Sequence, residues 1–340
     1  MAPDGLPDPG SRDFTWEDGD RLIRFGELTE DEVLSLVQSR RLIPAVLLTG
    51  GRDVLPQFAE HFENLRVPAG PVPEAAAAIR DLVDRRSLVA LGGGRVIDSA
   101  KAIAGAERLR CAAIPTTLSG AEMTPFHRMP AGVEEWRLTR PELVIAIPSL
   151  MASQPMPALA ASAMNALAHA VEALYTPMTN EIVTEASLRA AGLISGGLEP
   201  AEPERANLAL GALLAGYASG IAGIAVHHAV CQTIVRVAGT PHAQTNAVML
   251  PHFVRFMERR APDAIARLAG ALGAGKTPPA AAAQVGELAA RAGVTRLGEL
   301  GVERAALGDI VSAALQHPAL GNTPDPPDPD ELRSVLEGAL

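Results

Sequence analysis

Three consecutive glycines follow a short apolar stretch and precede a helical pattern. The stretch 88–91 is apolar throughout, which is typical of a buried strand in a parallel sheet, and Gly92, Gly93 and Gly94 follow it directly. Glycines can adopt positive φ and let a ligand approach the backbone. A helix that begins there presents N–H groups and the positive end of its dipole to an anion. The pattern predicts a phosphate-binding turn, with an ordinary turn that binds nothing as the alternative.

The helix predicted after this turn carries two charged residues on one side. Lys101 follows Asp98 by three residues, a spacing that places both side chains on the same helical face. Lys101 is one of only two lysines in the chain, the other being Lys276, although the chain contains 29 lysines and arginines together. This bias favours a specific role for Lys101.

A second group of residues could hold a metal ion or polarise a substrate oxygen. Asn165 and His169 are four residues apart and share one face of a predicted helix. His228, near the start of a later helix, and His242, in the loop after Gly239, can join them if the fold brings them together. An amide oxygen and three imidazoles can bind Zn or Fe, although a buried histidine is more often a hydrogen-bonded core residue. Three histidines outside the long helical patterns are expected to face solvent: His61, His127 and His317.

The first half of the chain must position the glycine turn, and it alternates strand and helix patterns. Strands are predicted at 21–25, 45–49, 88–91, 111–114 and 143–147, with helices at 29–39 and 73–85 between them. Loops of ligand-binding type follow several strands, among them Pro115-Thr116-Thr117. This order predicts a parallel open sheet with a ligand crevice at the strand C-termini. Residues 1–150 are therefore interpreted as a Rossmann-like dinucleotide-binding domain.

The second half of the chain predicts helices only. Alanine-rich helical patterns occupy 158–175, 180–194, 203–222, 225–237, 245–260 and 279–292, and no strand pattern interrupts them. Residues 151–340 are interpreted as an all-α domain that carries the histidine group, joined to the first domain by a hinge at 148–157. One uncharged stretch, 208–226, is long enough to cross a bilayer. Its alanines and glycines contribute little transfer energy, so we expect a buried helix there.

Composition limits the location and the partners. The chain has 340 residues, 48% of them hydrophobic and 20% charged, which suits two globular domains. Its net charge of −10 argues against nucleic acid or an anionic membrane as a partner. Cys111 and Cys231 lie far apart in apolar patterns, which predicts no disulfide framework and a cytoplasmic location. Residues 1–13 lack the order of a secretory signal and are expected to form a frayed tail.

Four motifs, in order, resemble the iron-containing alcohol dehydrogenase superfamily, and within it the maleylacetate reductases most closely. The segment 92–101 resembles the pyrophosphate turn of the family, and 114–125 resembles its second cofactor loop, with the Glu-Met-Thr-Pro ending of maleylacetate reductases. The segment 165–175 resembles the first metal-site helix, and 227–252 resembles the second. The resemblance therefore covers most of the chain.

The resemblance implies the dehydroquinate synthase-like fold of these enzymes. In that fold an α/β N-terminal Rossmann-like domain precedes an all-α C-terminal domain, and the site lies in the cleft between them. It also implies a homodimer and a reductase that transfers hydride from NADH or NADPH to a small carbonyl or activated alkene carboxylate. Since no acidic residue follows the second predicted strand at Thr49-Gly50, both cofactors stay open.

Site residues are carried over by their positions in these motifs. The cofactor-binding positions are Gly92, Gly93, Gly94, Asp98, Lys101, Thr116, Thr117 and Ser119. The metal positions, for Fe or Zn, are Asn165, His169, His228 and His242. The three histidines of this set are expected to polarise the substrate oxygen directly or through the ion.

The chain departs from the family pattern at four positions. Asn165 replaces the Asp of metal-dependent members, as is usual in maleylacetate reductases, which are generally regarded as needing no metal. Gln232 replaces a histidine suspected in proton transfer, Ala121 replaces a serine, and Ile147 replaces a frequent Asp. These changes leave a second interpretation open, a non-redox lyase or cyclase of a biosynthetic pathway. A third is a scaffold without catalysis that binds nucleotide or dimerises.

Overall fold

The computed structural model describes residues 12–340. Of the predicted N-terminal tail, residues 1–11 lie outside this range. The chain divides into two compact units, the described part of residues 1–153 and Gln154–Leu340. Within the described residues, every strand belongs to the first unit and the second is entirely helical apart from its connections.

The first unit is built on a seven-stranded sheet. Its strands are β1 (Phe14–Asp18), β2 (Arg21–Phe25), β3 (Ala45–Thr49), β4 (Glu63–Arg66), β5 (Ser87–Gly92), β6 (Cys111–Pro115) and β7 (Leu143–Ala146). Its α-helices are α1 (Glu30–Ser39), α2 (Pro56–Ala59), α3 (Val72–Arg80), α4 (Gly94–Glu107) and α5 (Pro148–Met151). The order across the sheet is β1-β2-β7-β6-β5-β3-β4; β1 and β2 pair antiparallel, and the other pairs are parallel. The predicted parallel sheet is therefore confirmed from β2 to β4, with an antiparallel strand added at one edge.

Sequence patterns do not reveal the two edge strands, β1 and β4. The β4 sequence is Glu-Asn-Leu-Arg, and three of its four residues are exposed. In β1 exposed and half-buried residues alternate. An edge strand pairs on one side only and tolerates polar side chains, so neither strand carries the apolar signal of a central strand.

The strand before the glycine turn lies at the centre of two hydrophobic cores. Leu88 and Ala90 of β5 pack in a cluster with Val96 and Ile97 of α4. Val89, the alternate residue of β5, packs in a separate cluster on the opposite face. Both faces of the sheet are therefore covered, which explains why residues 88–91 of β5 are all apolar.

The second unit consists of nine α-helices within the described residues. They are α6 (Met156–Ala173), α7 (Glu181–Leu198), α8 (Arg205–Ala222), α9 (Val226–Ala238), α10 (His242–Met257), α11 (Pro262–Ala271), α12 (Pro278–Ala290), α13 (Leu307–Ala314) and α14 (Pro329–Ala339). The predicted fold class, an α/β Rossmann-like part followed by an all-α part, is confirmed.

Two helix boundaries differ from the sequence predictions. The uncharged stretch is not one helix, because α8 ends at Ala222 and Gly223 adopts a φ of +81° before α9 begins. His242 does not lie in a loop; it is the first residue of α10. Among the described residues, no single helix combines the length and apolarity needed to span a membrane; α8 and α9 meet that test only as a pair, which is bent by 100°.

Candidate functional site

The glycine turn joins β5 to α4, and its glycines are needed for space rather than for an unusual backbone. None of the three has a positive φ, and Gly93, the N-cap of α4, has φ −79° and ψ −176°. A Cβ atom on Gly92 would lie 2.6 Å from Cγ2 of Val96, and one on Gly93 would lie 3.0 Å from Cγ2 of Thr117. The expected use of positive φ is therefore wrong at this turn. The first N–H groups of a helix have no hydrogen-bond partner inside it, and the first turn of α4 carries no acidic side chain. Both features suit the binding of an anion.

A loop of residues 116–126, which we call the second loop, packs against this turn. Its first residue donates a hydrogen bond from the Thr116 backbone N–H to the Gly92 carbonyl oxygen at 3.0 Å. A Cβ on Gly94 would lie 3.0 Å from Cβ of Ser119, so Ser119 lies directly beside the turn. Thr117 and Ser119 are half-buried, whereas Thr116 is buried. The structure thus brings the predicted residues of the turn and of the second loop together.

Lys101 lies differently from the sequence expectation. Its side chain is fully buried, and its Nζ donates to the carbonyl oxygens of Ala121 at 2.8 Å and Phe126 at 2.7 Å. It also forms an ion pair with Asp98 at 2.8 Å. A buried ammonium with these partners does not fit the predicted contact with the dinucleotide. The Asp98 side chain keeps 30% of its exposure.

Two charged residues that the sequence predictions do not include lie in or beside the second loop: Glu122, which belongs to it, and Arg21, which donates to it. Arg21 donates from Nη2 to the Glu122 carbonyl oxygen at 3.1 Å and from Nε to the Pro141 carbonyl oxygen at 3.1 Å. The Glu122 carboxyl is fully buried, and neither oxygen is hydrogen-bonded to another residue of 12–340. Burial raises the pKa of Glu122 to about 7, against smaller lowering effects that include the charges of Lys101 and Arg21. The signal for Glu122 was present in the Glu-Met-Thr-Pro motif; no sequence signal marks Arg21.

The histidine group of the second unit is assembled from α6, α9 and α10. The rings of His169 and His228 stack with centroids 4.1 Å apart and planes inclined by 20°. Burial lowers the pKa of His169 well below its ordinary value, and the nearby charge of His228 lowers it further. Burial lowers the pKa of His228 to about 3, and His242 adds to that effect. These imidazoles are therefore neutral at pH 7.

Each stacked imidazole is oriented through its Nδ1 atom. His228 Nδ1 lies 2.6 Å from Glu172 Oε2, and the His228 backbone N–H donates to Glu172 Oε1 at 3.2 Å. His169 Nδ1 lies 3.1 Å from Ser219 Oγ. Burial raises the pKa of Glu172, which is fully enclosed. Glu172 was not selected from the sequence, although it follows His169 by three residues on the same helix.

Two buried polar atoms of this group have no hydrogen-bond partner among residues 12–340. They are Nε2 of His228 and Oδ1 of Asn165. Buried polar atoms are nearly always satisfied, so an unpartnered pair on neighbouring helices is typical of a ligand site.

The arrangement does not fit one ion held jointly by His169 and His228. A ligating nitrogen directs its lone pair in the plane of its ring, and two stacked, nearly parallel rings direct their lone pairs side by side rather than to one point. Within residues 12–340, no group of three or more His, Cys, Asp or Glu side chains is arranged for a metal ion. Of the predicted ligand set, Asn165, His169, His228 and His242, the stacked pair His169 and His228 therefore does not fit a shared ion in this arrangement.

A neighbouring histidine links two of the three helices of the group, α9 and α10. His227 Nε2 lies 2.8 Å from Asn246 Oδ1, and Asn246 Nδ2 donates to the His242 carbonyl oxygen at 2.8 Å. This connection fixes the start of α10 beside α9. His227 is not among the predicted site residues, because the sequence pattern does not tell which of two adjacent histidines faces the group.

One of the three histidines expected at the surface is buried. His127 keeps only 6% exposure, because its segment folds over α4, where a Cβ on Gly105 would lie 3.4 Å from its ring. His61 is exposed and His317 is half-buried. His317 Nε2 lies 3.3 Å from Oε1 of Gln232, which gives this departure from the family pattern a partner inside the fold.

Comparison with known proteins identifies the family. The model of the Fe-containing alcohol dehydrogenase family, C-terminal, matches residues 159–340, and the model described as iron-containing alcohol dehydrogenase matches residues 53–122. Maleylacetate reductase 1 of Rhodococcus opacus is 37% identical over 68% of this chain and 67% of its own length. Maleylacetate reductase 2 of Cupriavidus pinatubonensis is 38% identical over 62% of this chain and 61% of its own length.

Solved structures agree with this assignment. The crystal structure of maleylacetate reductase from Agrobacterium tumefaciens superposes with a TM-score of 0.80 at 27% identity, covering 97% of this chain and 98% of the other. The matched C-terminal family model alone spans more than half of the 340 residues. The chain therefore belongs to the iron-containing alcohol dehydrogenase family, a family of NAD(P)-dependent oxidoreductases.

Proposed function

We propose that this chain is an NAD(P)H-dependent reductase of the maleylacetate reductase type, which transfers hydride to a carbonyl or activated alkene of a small carboxylate substrate. The observation that carries the proposal is the buried, unpartnered Nε2 of His228. It lies in a chain whose relatives, at 34–38% identity, are maleylacetate reductases.

The predicted N-terminal domain, residues 1–150, binds the dinucleotide in this proposal. The N–H groups at the start of α4 hold the pyrophosphate, because Gly92, Gly93 and Gly94 leave the backbone open. Thr116, Thr117 and Ser119 belong to the second loop and line the adenosine and ribose. The partly exposed carboxylate of Asp98 contacts the ribose or nicotinamide side. When bound, the cofactor supplies the hydride.

The predicted all-α domain, residues 151–340, supplies the proton that follows the hydride. Burial raises the pKa of Glu172 and lowers that of His228 to about 3, and Glu172 Oε2 lies 2.6 Å from His228 Nδ1. In this proposal the Glu172 carboxyl holds the shared proton and donates its O–H to Nδ1, and the ring carries its own proton on Nε2. Nε2–H then donates its proton to the oxygen or carbon that becomes basic as hydride arrives, while Glu172 passes its proton to Nδ1. One proton thus leaves the Glu172 carboxyl for each substrate reduced. His169 and His242 complete the polar surface around that oxygen.

The family name implies a bound Fe or Zn ion, and the stacked rings do not fit one. We therefore assign no step to a metal. Elemental analysis of protein purified without chelator is expected to find neither metal in a 1:1 ratio to the chain. A stoichiometric ion that is required for turnover would overturn this part of the proposal.

The proposal extends to the partners and the location of the protein. We infer a homodimer, as the family resemblance implies, and a cytoplasmic small-molecule enzyme with two free, buried cysteines. The net charge of −10 argues against nucleic acid as a partner. Light scattering on a sizing column tests the dimer; a monomer at micromolar concentration would contradict it.

The activity is tested by following NAD(P)H absorbance with maleylacetate as substrate. Wild type is expected to oxidise NADH or NADPH in step with product, and His228→Ala to lose about 100-fold or more in kcat. His61→Ala, the same change at an exposed histidine, is the matched control. Substrate consumption without NAD(P)H oxidation would instead indicate the lyase or cyclase interpretation.

A further inference from the structure

Lys101 has more acceptors around its ammonium than it has N–H groups. Besides Ala121 and Phe126, its Nζ lies 3.2 Å from the Thr124 carbonyl oxygen and 2.8 Å from the Asp98 carboxylate. An ammonium has three donors and no acceptor, so these contacts use all of them. The side chain is also fully buried. No donor remains for a phosphate.

The three carbonyl groups belong to one short stretch, residues 121–126, at the end of the second loop. The loop turns at Gly120, which has a φ of +71° and accepts hydrogen bonds from the N–H groups of Met123 and Thr124. Just before this turn, Ser119 lies against Gly94. The contacts of Lys101 therefore tie the loop to α4, the same helix whose N-terminus forms the glycine turn.

The choice of lysine in an arginine-rich chain follows from this geometry. One nitrogen reaches three carbonyl oxygens that converge on it, at 2.7–3.2 Å. A guanidinium spreads its donors over a planar fork and cannot place three of them on one point. Arg21 is used where its donors are needed apart, on the carbonyl groups of Glu122 and Pro141.

We infer that Lys101 is a positioning residue that does not touch the dinucleotide. It fixes the second loop against α4, so that Thr117 and Ser119 stand beside the glycine turn before the cofactor arrives. The inference rests on the proposed function, in which this turn and loop bind NAD(P)H. It reassigns a residue whose place in the motif predicts direct phosphate contact.

The test combines a loop measurement with a kinetic one. Lys101→Met keeps an unbranched side chain that is one atom shorter and removes all three donors. Hydrogen–deuterium exchange of a peptide covering residues 121–126 is expected to rise about tenfold in the cofactor-free variant, since loop opening becomes easier. The KM for NAD(P)H is expected to rise about tenfold, with kcat at saturating cofactor within about threefold of wild type. Lys276→Met, at the exposed second lysine, should change neither quantity.

The outcomes separate the inference from the proposed function. A raised KM with unchanged loop exchange would overturn the inference, because it would indicate direct contact with the cofactor. Unchanged KM and unchanged exchange would overturn it as well. If wild type binds neither NADH nor NADPH, the proposed function fails, while the exchange measurement still decides whether Lys101 holds the loop. If Lys101→Met does not fold, Lys101→Arg, which keeps the charge beside Asp98, takes its place with the same two measurements and the same criteria.

Discussion

Replacing Glu122 by glutamine should remove a pH dependence of stability that is built into the first unit. The Glu122 carboxyl is fully buried and has no partner in another residue of 12–340. Its pKa is 4.5 in an exposed reference and about 7 in the fold, because burial disfavours the charged form. The folded protein therefore binds this proton more tightly than the unfolded chain does. The contribution of this proton to the free energy of unfolding is fully present below pH 4.5 and is lost as the pH rises through about 7.

The size of the effect follows from the two pKa values. The difference between 4.5 and about 7, at about 1.36 kcal/mol for each pH unit, corresponds to about 3 kcal/mol in total. Between about pH 5 and about pH 8, roughly 2.5 kcal/mol of this is lost. Glutamine has nearly the same shape but does not ionise. Its buried amide changes the free energy of unfolding equally at both pH values, so it cancels in the comparison.

The assay is urea unfolding followed by tryptophan fluorescence. Both tryptophans, Trp16 and Trp136, lie in the same unit as Glu122, so the signal reports unfolding of that unit. Between the two pH values, wild type should lose about 2–3 kcal/mol more than Glu122→Gln does. Other titrating groups cancel in this difference. Glu287→Gln, at an exposed position of α12, should behave as wild type. Parallel pH profiles for wild type and Glu122→Gln would refute the reasoning.

Three further changes have definite expected outcomes. Gly92→Ala would place its Cβ 2.6 Å from the β-branched side chain of Val96 at the start of α4, and should lower the free energy of unfolding in urea by about 1–3 kcal/mol; an unchanged midpoint would show that the turn has room. Glu172→Gln keeps a hydrogen bond to His228 but cannot pass a proton to it, so steady-state assays should show kcat reduced about 100-fold at an unchanged KM for NAD(P)H; full activity would exclude the proton transfer. Thr29→Ala removes the capping box of α1 and should cost about 1 kcal/mol in the same urea assay, with no effect on cofactor KM.

The sequence predicts the features whose causes are local. Residues 88–91 of β5 are apolar because both faces of the strand are covered, and that pattern is visible without a structure. The helix predicted over 29–39 is confirmed as α1, and a capping box begins it, with the Thr29 backbone N–H donating to Glu32 Oε2 at 2.8 Å. Asn165 and His169 share a helix in the structure as their spacing indicates. In each case the residues that determine the outcome lie within a few positions of one another.

The features that the sequence does not predict depend on partners far along the chain. Lys101 stands in a phosphate-turn motif, and its burial depends on carbonyl groups 20–25 residues later. The pairing of Glu172 with His228 spans 56 residues between two helices. Helical periodicity places each residue on a face, but it does not say which face of another helix will meet it. The stacking of His169 on His228, which decides against a shared ion, is of the same kind.

Whether a buried polar group has partners for all its hydrogen-bond donors and acceptors distinguishes structural from chemical roles in this protein. Every donor of Lys101 has an acceptor, so its burial stabilises one arrangement of the second loop. His228 is satisfied on Nδ1 and unsatisfied on Nε2, so one side of the ring is fixed while the other is left to meet a substrate. Neither carboxyl oxygen of Glu122 has a hydrogen-bond partner in another residue of 12–340. Burial favours the protonated form of this carboxyl, which is why we expect Glu122 to determine a pH dependence of stability rather than a step of the reaction.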